Sequence, residues 1–398
     1  MKNKKIGLLG LSFYSGNKGC CALSYSFLEV LNRIAIENHE VYELYIFLNG
    51  WKAEMMPRIK YNNLRYRMVP ILRRKVLNKI INWGIGKCDV IFDFTAGDSF
   101  SDIYGLDRFD TRTAIKEKII SKGIPLVLGS QTYGPFISED AQKRAANVLT
   151  NAKAVFSRDS MSSKVVISLT GKEPITTSDI AFLLPYDTEK SITSNRIKVG
   201  INPSGLLWNG GYTQDNQFGL SVDYRSYLIQ VLKYLCNDGR YDVYLIPHVI
   251  SADINLVEND CAPCLELKKM YPDVIYTFDF ENVGDYSAYL PMDVKSIISE
   301  MDVFLGARMH ATIAAFSSGV PVIPFSYSRK FEGLYNDFDY HYLISGTKIN
   351  TDEAISQTIS WIENREEIND FISKKCTPKM AENNAYLICK TKEVIASV

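Results

Sequence analysis

Residues 302–330, DVFLGARMHATIAAFSSGVPVIPFSYSRK, contain one strand–helix–strand unit. The apolar runs VFLGA and VPVIPFSY are predicted strands, and the small-residue segment that begins at about Met309 is a predicted helix. Continuously apolar strands separated by a helix are typical of a parallel sheet covered on both faces. This stretch therefore predicts an α/β fold.

The same alternation extends along most of the chain. Strands are predicted at KIGLLGLS, VYELYIFL, CDVIFDFTAG, IPLVLGSQTYG and AKAVFSRD, with helices between them such as 23–38 and 111–122. The polar segment 185–196 lacks apolar periodicity and reads as an interdomain linker. A second alternating series follows it, and the chain from Thr351 onward is helical and amphipathic.

This organisation predicts two Rossmann-like, doubly wound α/β domains, with a cleft between them and a helical C-terminal tail. The predicted bounds are 1–190, 196–350 and 351–398. In such sheets ligands bind at the carboxyl ends of the strands. The residues that directly follow each strand are therefore the candidates for function.

Composition narrows the class of protein. The 398 residues include 45 basic and 45 acidic side chains, so no overall charge suggests nucleic acid as a partner. The apolar run Ile6–Leu11 is too short for the core of a signal peptide, and no run approaches the roughly 18 residues of a membrane span. Eight scattered cysteines fit a reducing compartment. We expect a soluble cytoplasmic protein.

The stretch 302–330 also concentrates positive charge. Four basic residues lie between Asp302 and Glu332 with no acid among them: Arg308, His310, Arg329 and Lys330. The predicted helix start and the Arg308 guanidinium favour an anion, and Tyr327 with its neighbours ends the next strand at the same edge. The alternative is a set of surface cations and one structural histidine.

Other polar residues follow predicted strands. His248 ends YLIPHV and can face the cleft, although Pro247 can equally shape a turn there. In FTAGDSFSDIYG a carboxylate can accept a proton from a sugar hydroxyl, whereas the alternative is an Asx turn or a helix cap. The candidates in this loop are Asp98, Ser99 and Asp102.

Two further strand ends offer Gln131, in GSQTYGPF, and Arg158, in FSRDS. Arg158 is either a second anion ligand or the partner of Asp159 or another nearby acid. The first loop, with Asn17 in SGNKG, resembles a phosphate-binding loop only loosely, because it lacks both glycine-rich phosphate motifs.

The pair Cys261 and Cys264 has no second cysteine pair and no histidine at zinc-finger spacing. Zinc is possible there, but two buried thiols at a helix start are the preferred interpretation.

Residues 57–87 are basic and contain no acid, with apolar residues interspersed. Such a stretch suits contact with an anionic membrane or a diphosphate-linked lipid. An ordinary solvated face is the competing interpretation.

The segment GARMHATIAAFSSGVPVIPFSYSRKFEGL resembles the most specific motif of the polysaccharide pyruvyl transferase family. That motif is Arg-x-His, then a small-residue helix and Tyr-x-x-Lys. The resemblance continues in DFTAGDSFSDIYG, GSQTYGPF, FSRDS, TSDIAFLLP and LIPHV. The first loop departs from the pattern, since Cys20 stands where such proteins often carry an acid.

The resemblance implies a GT-B-like fold and a reaction in bacterial surface polysaccharide biosynthesis. A pyruvyl group passes from phosphoenolpyruvate, the co-substrate, onto two hydroxyls of a sugar to give a cyclic ketal. No cofactor and no metal is expected, because basic side chains can carry the anion charge. The implied acceptor is a lipid-linked oligosaccharide, which would give 57–87 a place at the membrane surface.

Residue roles follow from the resemblance together with the charge pattern. The proton carrier is expected to be His310, with Asp98 or His248 activating the acceptor hydroxyls. Donor binding is expected from Arg308, Lys330, Arg158, Arg329 and Tyr327. Acceptor binding is expected from Asn17, Ser99, Asp102 and Gln131.

Two rival functions stay open. A nucleotide-sugar glycosyltransferase of the same architecture often uses a carboxylate near the equivalent helix, and the acid-free run 303–331 argues against it. A non-catalytic adaptor of a membrane-associated synthesis complex would use the same cations to bind lipid headgroups or partner acids.

Overall fold

The computed structural model describes residues 4–50, 52–71, 78–276 and 289–398. The chain forms two compact units. The first comprises Met1–Tyr14, Leu23–Leu183 and Ala381–Val398, and the second comprises Ser15–Ala22 and Leu184–Met380. The predicted α/β class with two doubly wound domains is confirmed.

The first unit is built on a parallel sheet. Its strands are β1 (Lys5–Leu9), β2 (Tyr42–Leu48), β3 (Leu64–Pro70), β4 (Val90–Asp93), β5 (Leu126–Gln131), β6 (Ala154–Ser157) and β7 (Ile175–Thr176). They lie in the order β3-β2-β1-β4-β5-β6-β7. The order reverses direction at β1, so the helical crossovers cover both faces, and the central strands are apolar and buried for that reason.

Helices follow the strands of this sheet: α1 (Lys18–Glu37), α2 (Asn78–Ile85), α3 (Leu106–Ser121), α4 (Glu139–Asn151) and α5 (Ser160–Thr170). Ser138 and Asp159 cap α4 and α5 by accepting a hydrogen bond from a backbone N–H of the first turn.

The second unit repeats the plan. Its strands are β8 (Ile197–Asn202), β9 (Tyr241–Leu245), β10 (Ile275–Tyr276), β11 (Val303–Gly306), β12 (Val322–Ser326) and β13 (Ile344–Ser345). They lie in the order β10-β9-β8-β11-β12-β13 and pair in parallel. Its helices are α6 (Gly205–Trp208), α7 (Tyr224–Asn237), α8 (Cys261–Met270), α9 (Pro291–Ser299), α10 (Met309–Ser317), α11 (Arg329–Asn336), α12 (Thr351–Glu363) and α13 (Arg365–Phe371).

The compact units differ from the expected domain bounds in three places. The expected tail 351–398 is not a separate body: a π-helical turn, Ile372–Cys376, joins α13 to α14 (Thr377–Ala396), and residues from Ala381 onward belong to the first unit. Ser15–Ala22, expected in the first domain, belongs to the second unit. The boundary between the units falls at Leu184 rather than at residue 190.

The segment expected to be a linker is packed within the second unit. The backbone N–H of Asp187 donates to Ser296 Oγ at 2.9 Å, and that of Ser191 donates to Glu300 at 2.8 Å. Both acceptors lie on or next to α9. Ser191 Oγ also donates to Glu300 at 2.8 Å, so polar groups of this segment serve as partners for the end of that helix.

Candidate active site

Polar residues follow four neighbouring strands at the carboxyl edge of the second sheet. Asn202 ends β8, His248 follows β9, Arg308 follows β11 and Tyr327 follows β12. Because β9, β8, β11 and β12 are adjacent in the sheet, these positions share one edge.

Asp260, which the sequence analysis did not identify, is the centre of this edge. Its side chain is fully buried, and it precedes α8. Its Oδ1 accepts from the backbone N–H of Gly205 at 2.9 Å and from Arg308 Nη2 at 2.8 Å. Its Oδ2 accepts from the backbone N–H groups of His248 and Val249 at 3.0 and 2.9 Å. One carboxylate therefore ties the ends of three strands together.

The sequence pattern suggested that Arg308 has no acidic partner, but the structure gives it one. It is buried, and its Nε and Nη2 both donate to Asp260. Burial alone would lower the pKa of Arg308, but the Asp260 carboxylate raises it above its ordinary value. Among the residues that the structure describes, Nη1 has no hydrogen-bond partner.

The first loop is part of this group. The backbone N–H of Lys18 donates to the His248 carbonyl at 3.0 Å, and that of Ile250 donates to the Gly16 carbonyl at 2.9 Å. Asn17 caps α1 by accepting from the N–H of Gly19 at 3.0 Å. Asn17, expected on the acceptor side of the first domain, therefore lies in the second unit beside His248, with its side-chain oxygen used for capping.

His248 is buried and surrounded by positive charge. Burial, and after it the charges of His310, Arg308 and Lys18, hold the pKa of His248 well below its ordinary value. His248 is therefore a neutral imidazole at neutral pH and holds a proton only weakly.

His310 is half-buried and is the second residue of α10. The N-terminal N–H groups of this helix and the buried Arg308, its N-cap residue, give the position a positive electrostatic setting. The predicted helix start at about Met309 is confirmed.

The end of β12 leads directly into α11. The Tyr327 ring packs on Phe218 and Phe331, with ring centroids 4.9 and 5.6 Å apart. Arg329 is exposed and Lys330 is half-buried. Of the two cations expected to bind the donor here, Lys330 is the one more enclosed by the protein.

The carboxyl edge of the first sheet carries a second polar group. At the end of β4, Asp93 forms a fully buried ion pair with Lys116 at 2.8 Å and accepts from Thr95 Oγ1 at 2.7 Å. The following residues Thr95, Ala96 and Gly97 have φ values of 43°, 57° and 90°. Positive φ is costly for threonine and alanine, so the buried Asp93 holds a strained turn in place.

This turn leads to the predicted acceptor residues. Asp98 is half-buried and accepts from Tyr104 Oη at 3.0 Å, while Ser99 Oγ accepts from Arg108 Nη2 at 2.7 Å. The expectation that Asp98 or Ser99 caps a helix finds no support, since the residue before α3 is Gly105.

Asp102 and Gln131, also expected to bind the acceptor, have structural partners. Asp102 accepts from the backbone N–H groups of Ile137 and Ser138 at 2.8 and 2.9 Å. Burial raises the pKa of Asp102, but these hydrogen bonds outweigh it and lower the pKa below its ordinary value. Gln131 is fully buried and donates to the Asp93 carbonyl at 3.2 Å.

Arg158 pairs with nearby acids, which is the alternative interpretation of this residue. It is buried in the first unit, and its Nη1 donates to Asp179 at 3.0 Å while Nε lies 3.6 Å from Asp159. Two acids thus balance its charge, and the structure gives no support for a donor-binding role.

Comparison with known proteins identifies the family. The sequence profile of the family described as polysaccharide pyruvyl transferase matches residues 17–329. The chain belongs to the polysaccharide pyruvyl transferase family. This match covers most of the chain, including both groups of strand-end residues, and it supports a transferase.

A search of curated proteins by sequence found no match. Solved structures show the fold alone, because identities are low. The UDP-GlcNAc 2-epimerase of Neisseria meningitidis, bound to UDP-GlcNAc, is 12% identical with a TM-score of 0.60, over 99% of this chain and 100% of that one. An Anabaena protein in complex with UDP and glucose is 12% identical with a TM-score of 0.56, over 100% of both chains.

An E. coli trehalose-6-phosphate structure bound with UDP-2-fluoro glucose is 9% identical with a TM-score of 0.57, over 98% of this chain and 99% of that one. The fold of this pyruvyl transferase family member is therefore GT-B-like, as expected.

The cysteine pair of this family member consists of two buried thiols at a helix start, which was the preferred interpretation. Cys261 and Cys264 are buried in the first turn of α8, and burial raises the pKa of Cys261 to about 12. Within the described ranges no group of three or more potential ligands could hold a metal ion.

The basic stretch 57–87 is partly an edge strand. Arg65 and Arg67 on β3 are exposed and alternate with less exposed residues, while Val69 and Ile81 pack into the core of the first unit. Arg73, Arg74 and Lys75 lie outside the described residues. Within the described part of the chain, no helix has the length and apolar character needed to cross a membrane.

An open groove of about 710 Å³ lies at the other end of the second sheet. It is lined by the residues before β8, β11 and β12, among them Arg196, Asp302 and Pro321, and by Arg365 at the start of α13. Ligands of doubly wound sheets bind at the carboxyl ends, so this groove does not displace the candidate site.

Proposed function

We propose that the protein transfers the pyruvyl group of phosphoenolpyruvate onto two hydroxyls of a sugar. The observation that carries the proposal is the basic group at the carboxyl edge of the second sheet, in a chain of this family. Its members are Lys18, His248, Arg308, His310 and Lys330.

The negative charges of phosphoenolpyruvate match the positive charge of this basic group. Phosphoenolpyruvate carries a phosphate and a carboxylate, and planar guanidinium donors bind such groups well. Asp260 fixes Arg308 before any ligand arrives, so little ordering of the side chain is needed on binding. The N-terminus of α10 adds favourable backbone dipoles for the same anion.

The chemistry begins with a proton. His310 donates it to the methylene carbon, which becomes a methyl group and leaves an oxocarbenium-like centre at the neighbouring carbon. A sugar hydroxyl adds there and loses its proton, and the bond from this carbon to the phosphate oxygen breaks. A second hydroxyl then adds, loses its proton and closes the ketal ring.

The protons lost by the two hydroxyls need acceptors. One returns to His310 and restores its acid form, and the other is taken up by a base and passed to the departing phosphate, which leaves as hydrogen phosphate. His248 is the base proposed here: it is neutral at neutral pH, and its low pKa means that it holds the proton only transiently before the phosphate takes it. In the first unit, Asp98 is the carboxylate proposed for the acceptor, and the strained turn 95–97 fixes its position.

The test is to incubate the protein with phosphoenolpyruvate and a panel of candidate glycans, including lipid-linked oligosaccharides, and to search by mass spectrometry for a pyruvyl adduct. We expect one glycan to gain a ketal-linked pyruvyl group with release of phosphate, and His310→Ala to abolish both.

Two results would contradict the proposal. Sugar transfer from a nucleotide sugar, without any pyruvyl adduct, would favour a glycosyltransferase. A His310→Ala protein that retains its full cellular role would favour an adaptor without catalysis.

A further inference from the structure

Gly19 lies directly against the imidazole of His310. A Cβ built on Gly19 would lie 2.8 Å from Cγ and 2.9 Å from Cβ of His310, and it would come closer still to Nδ1. Real Cβ atoms essentially never make contacts under 3.0 Å, so any side chain at position 19 would force its surroundings to shift.

The backbone gives no other reason for glycine here. Gly19 is the second residue of the long helix α1 and is not among the glycines with positive φ. Alanine is the best helix former at such a position, and glycine is among the worst. The space taken by His310 is therefore the physical reason that position 19 lacks a side chain.

Rotating the imidazole cannot relieve the contact. The short distances include Cβ of His310, which is fixed to the backbone of α10 whatever the ring does. A side chain at position 19 must therefore displace either α10 or the first loop.

The first loop is itself held in place. Lys18 and Gly16 hydrogen-bond through their backbones to the segment His248–Ile250, and Asn17 pairs with Val249 in an antiparallel bridge. His248 is in turn fixed by Asp260. The loop therefore forms a rigid wall behind His310, anchored on the other histidine of the group.

We propose that Gly19 is a positioning residue that sets the place of the His310 imidazole. The inference rests on the proposed function in one respect, that His310 carries the proton. The geometric part stands on the contact alone. Position 19 then acts on the rate of proton transfer.

The experiment compares Gly19→Ala with Gly239→Ala as a matched control. Gly239 is exposed, has no positive φ, and a Cβ there would meet nothing within 4 Å. With isotopically labelled histidines, the NMR chemical shifts of the four imidazoles report changes around His310 in the absence of substrate. We expect the His310 resonance to move in Gly19→Ala and to stay in Gly239→Ala.

Kinetic measurements give a second test of the role of Gly19. We expect Gly19→Ala to lower kcat for phosphate release on the order of 100-fold and to change KM for phosphoenolpyruvate much less, because a displacement of about 1 Å has that effect on a reacting group. Unchanged kcat and an unmoved His310 resonance would overturn the inference while leaving the proposed function intact.

A mutant cycle covers the case in which Gly19→Ala is unstable. His310→Gly removes both the ring and its Cβ, so the loss of melting temperature caused by Gly19→Ala should vanish in that background. The same loss in both backgrounds would overturn the inference. A shifted resonance and a coupled mutant cycle, in a protein that never turns over phosphoenolpyruvate, would separate the two claims. The positioning role of Gly19 would then be supported, and the proposed function would be contradicted.

Discussion

At the scale of single residues, Asp260 shows what the sequence could and could not reveal. Strand ends and a helix start pointed to Arg308, His248 and His310, because strand–helix alternation is readable from apolar periodicity. The acid that holds Arg308 comes from a separate loop before α8, and nothing in the local pattern marks it. The contact of Gly19 with His310 was missed for the same reason, since the two are far apart along the chain.

Replacing Asp260 by asparagine should strongly destabilise the second unit. Arg308 would stay buried with its charge uncompensated, and breaking a buried pair costs about 3–5 kcal/mol of unfolding free energy. Urea denaturation followed by tryptophan fluorescence measures this loss. The exposed pair of Lys374 and Asp370 supplies the control, and Asp370→Asn should leave the midpoint unchanged. Equal effects of the two variants would contradict the role assigned to Asp260.

At the scale of elements, the strands that the sequence predicted well are those buried on both faces. β3 was missed because alternate residues on it are basic and exposed, which made the stretch read as a surface segment. The short strands β7 and β13 contain only two residues each, too few for any periodicity. The packing of 185–196 on α9 was missed because polar partners, not apolar periodicity, hold that segment.

Helix α9 carries a buried lysine that should make stability depend on pH. Lys295 Nζ donates to the Leu184 carbonyl at 2.9 Å and lies 4.8 Å from the centre of the Tyr186 ring. Burial lowers the pKa of Lys295 from 10.5 to about 7. Between these values the unfolded chain binds more protons than the folded one, so the unfolding free energy should rise with pH.

The variant Lys295→Met should lack this rise. The difference in unfolding free energy between the wild type and the variant should therefore increase with pH above about 7, by at most about 1.4 kcal/mol per pH unit. Urea denaturation over this pH range measures it, with Lys233→Met on the exposed face of α7 as the control. A difference that stays constant with pH would show that Lys295 titrates normally in the folded protein.

At the scale of the whole molecule, the chain has a GT-B-like fold and belongs to the polysaccharide pyruvyl transferase family. The rival function is a nucleotide-sugar glycosyltransferase, so a nucleotide sugar is the ligand to compare with phosphoenolpyruvate. Membrane contact through 57–87 stays a prediction, as does the lipid-linked acceptor.

The central claim is that the basic group in the second unit binds phosphoenolpyruvate, and a thermal titration tests it most directly. The melting temperature is followed as phosphoenolpyruvate or UDP-GlcNAc is added to the wild type, to Lys330→Ala and to the exposed control Lys374→Ala. Ligand at about 100 times its Kd stabilises the folded state by about 2.7 kcal/mol. The account predicts stabilisation by phosphoenolpyruvate alone, weakened in Lys330→Ala and unchanged in Lys374→Ala. Stabilisation by UDP-GlcNAc alone would contradict it.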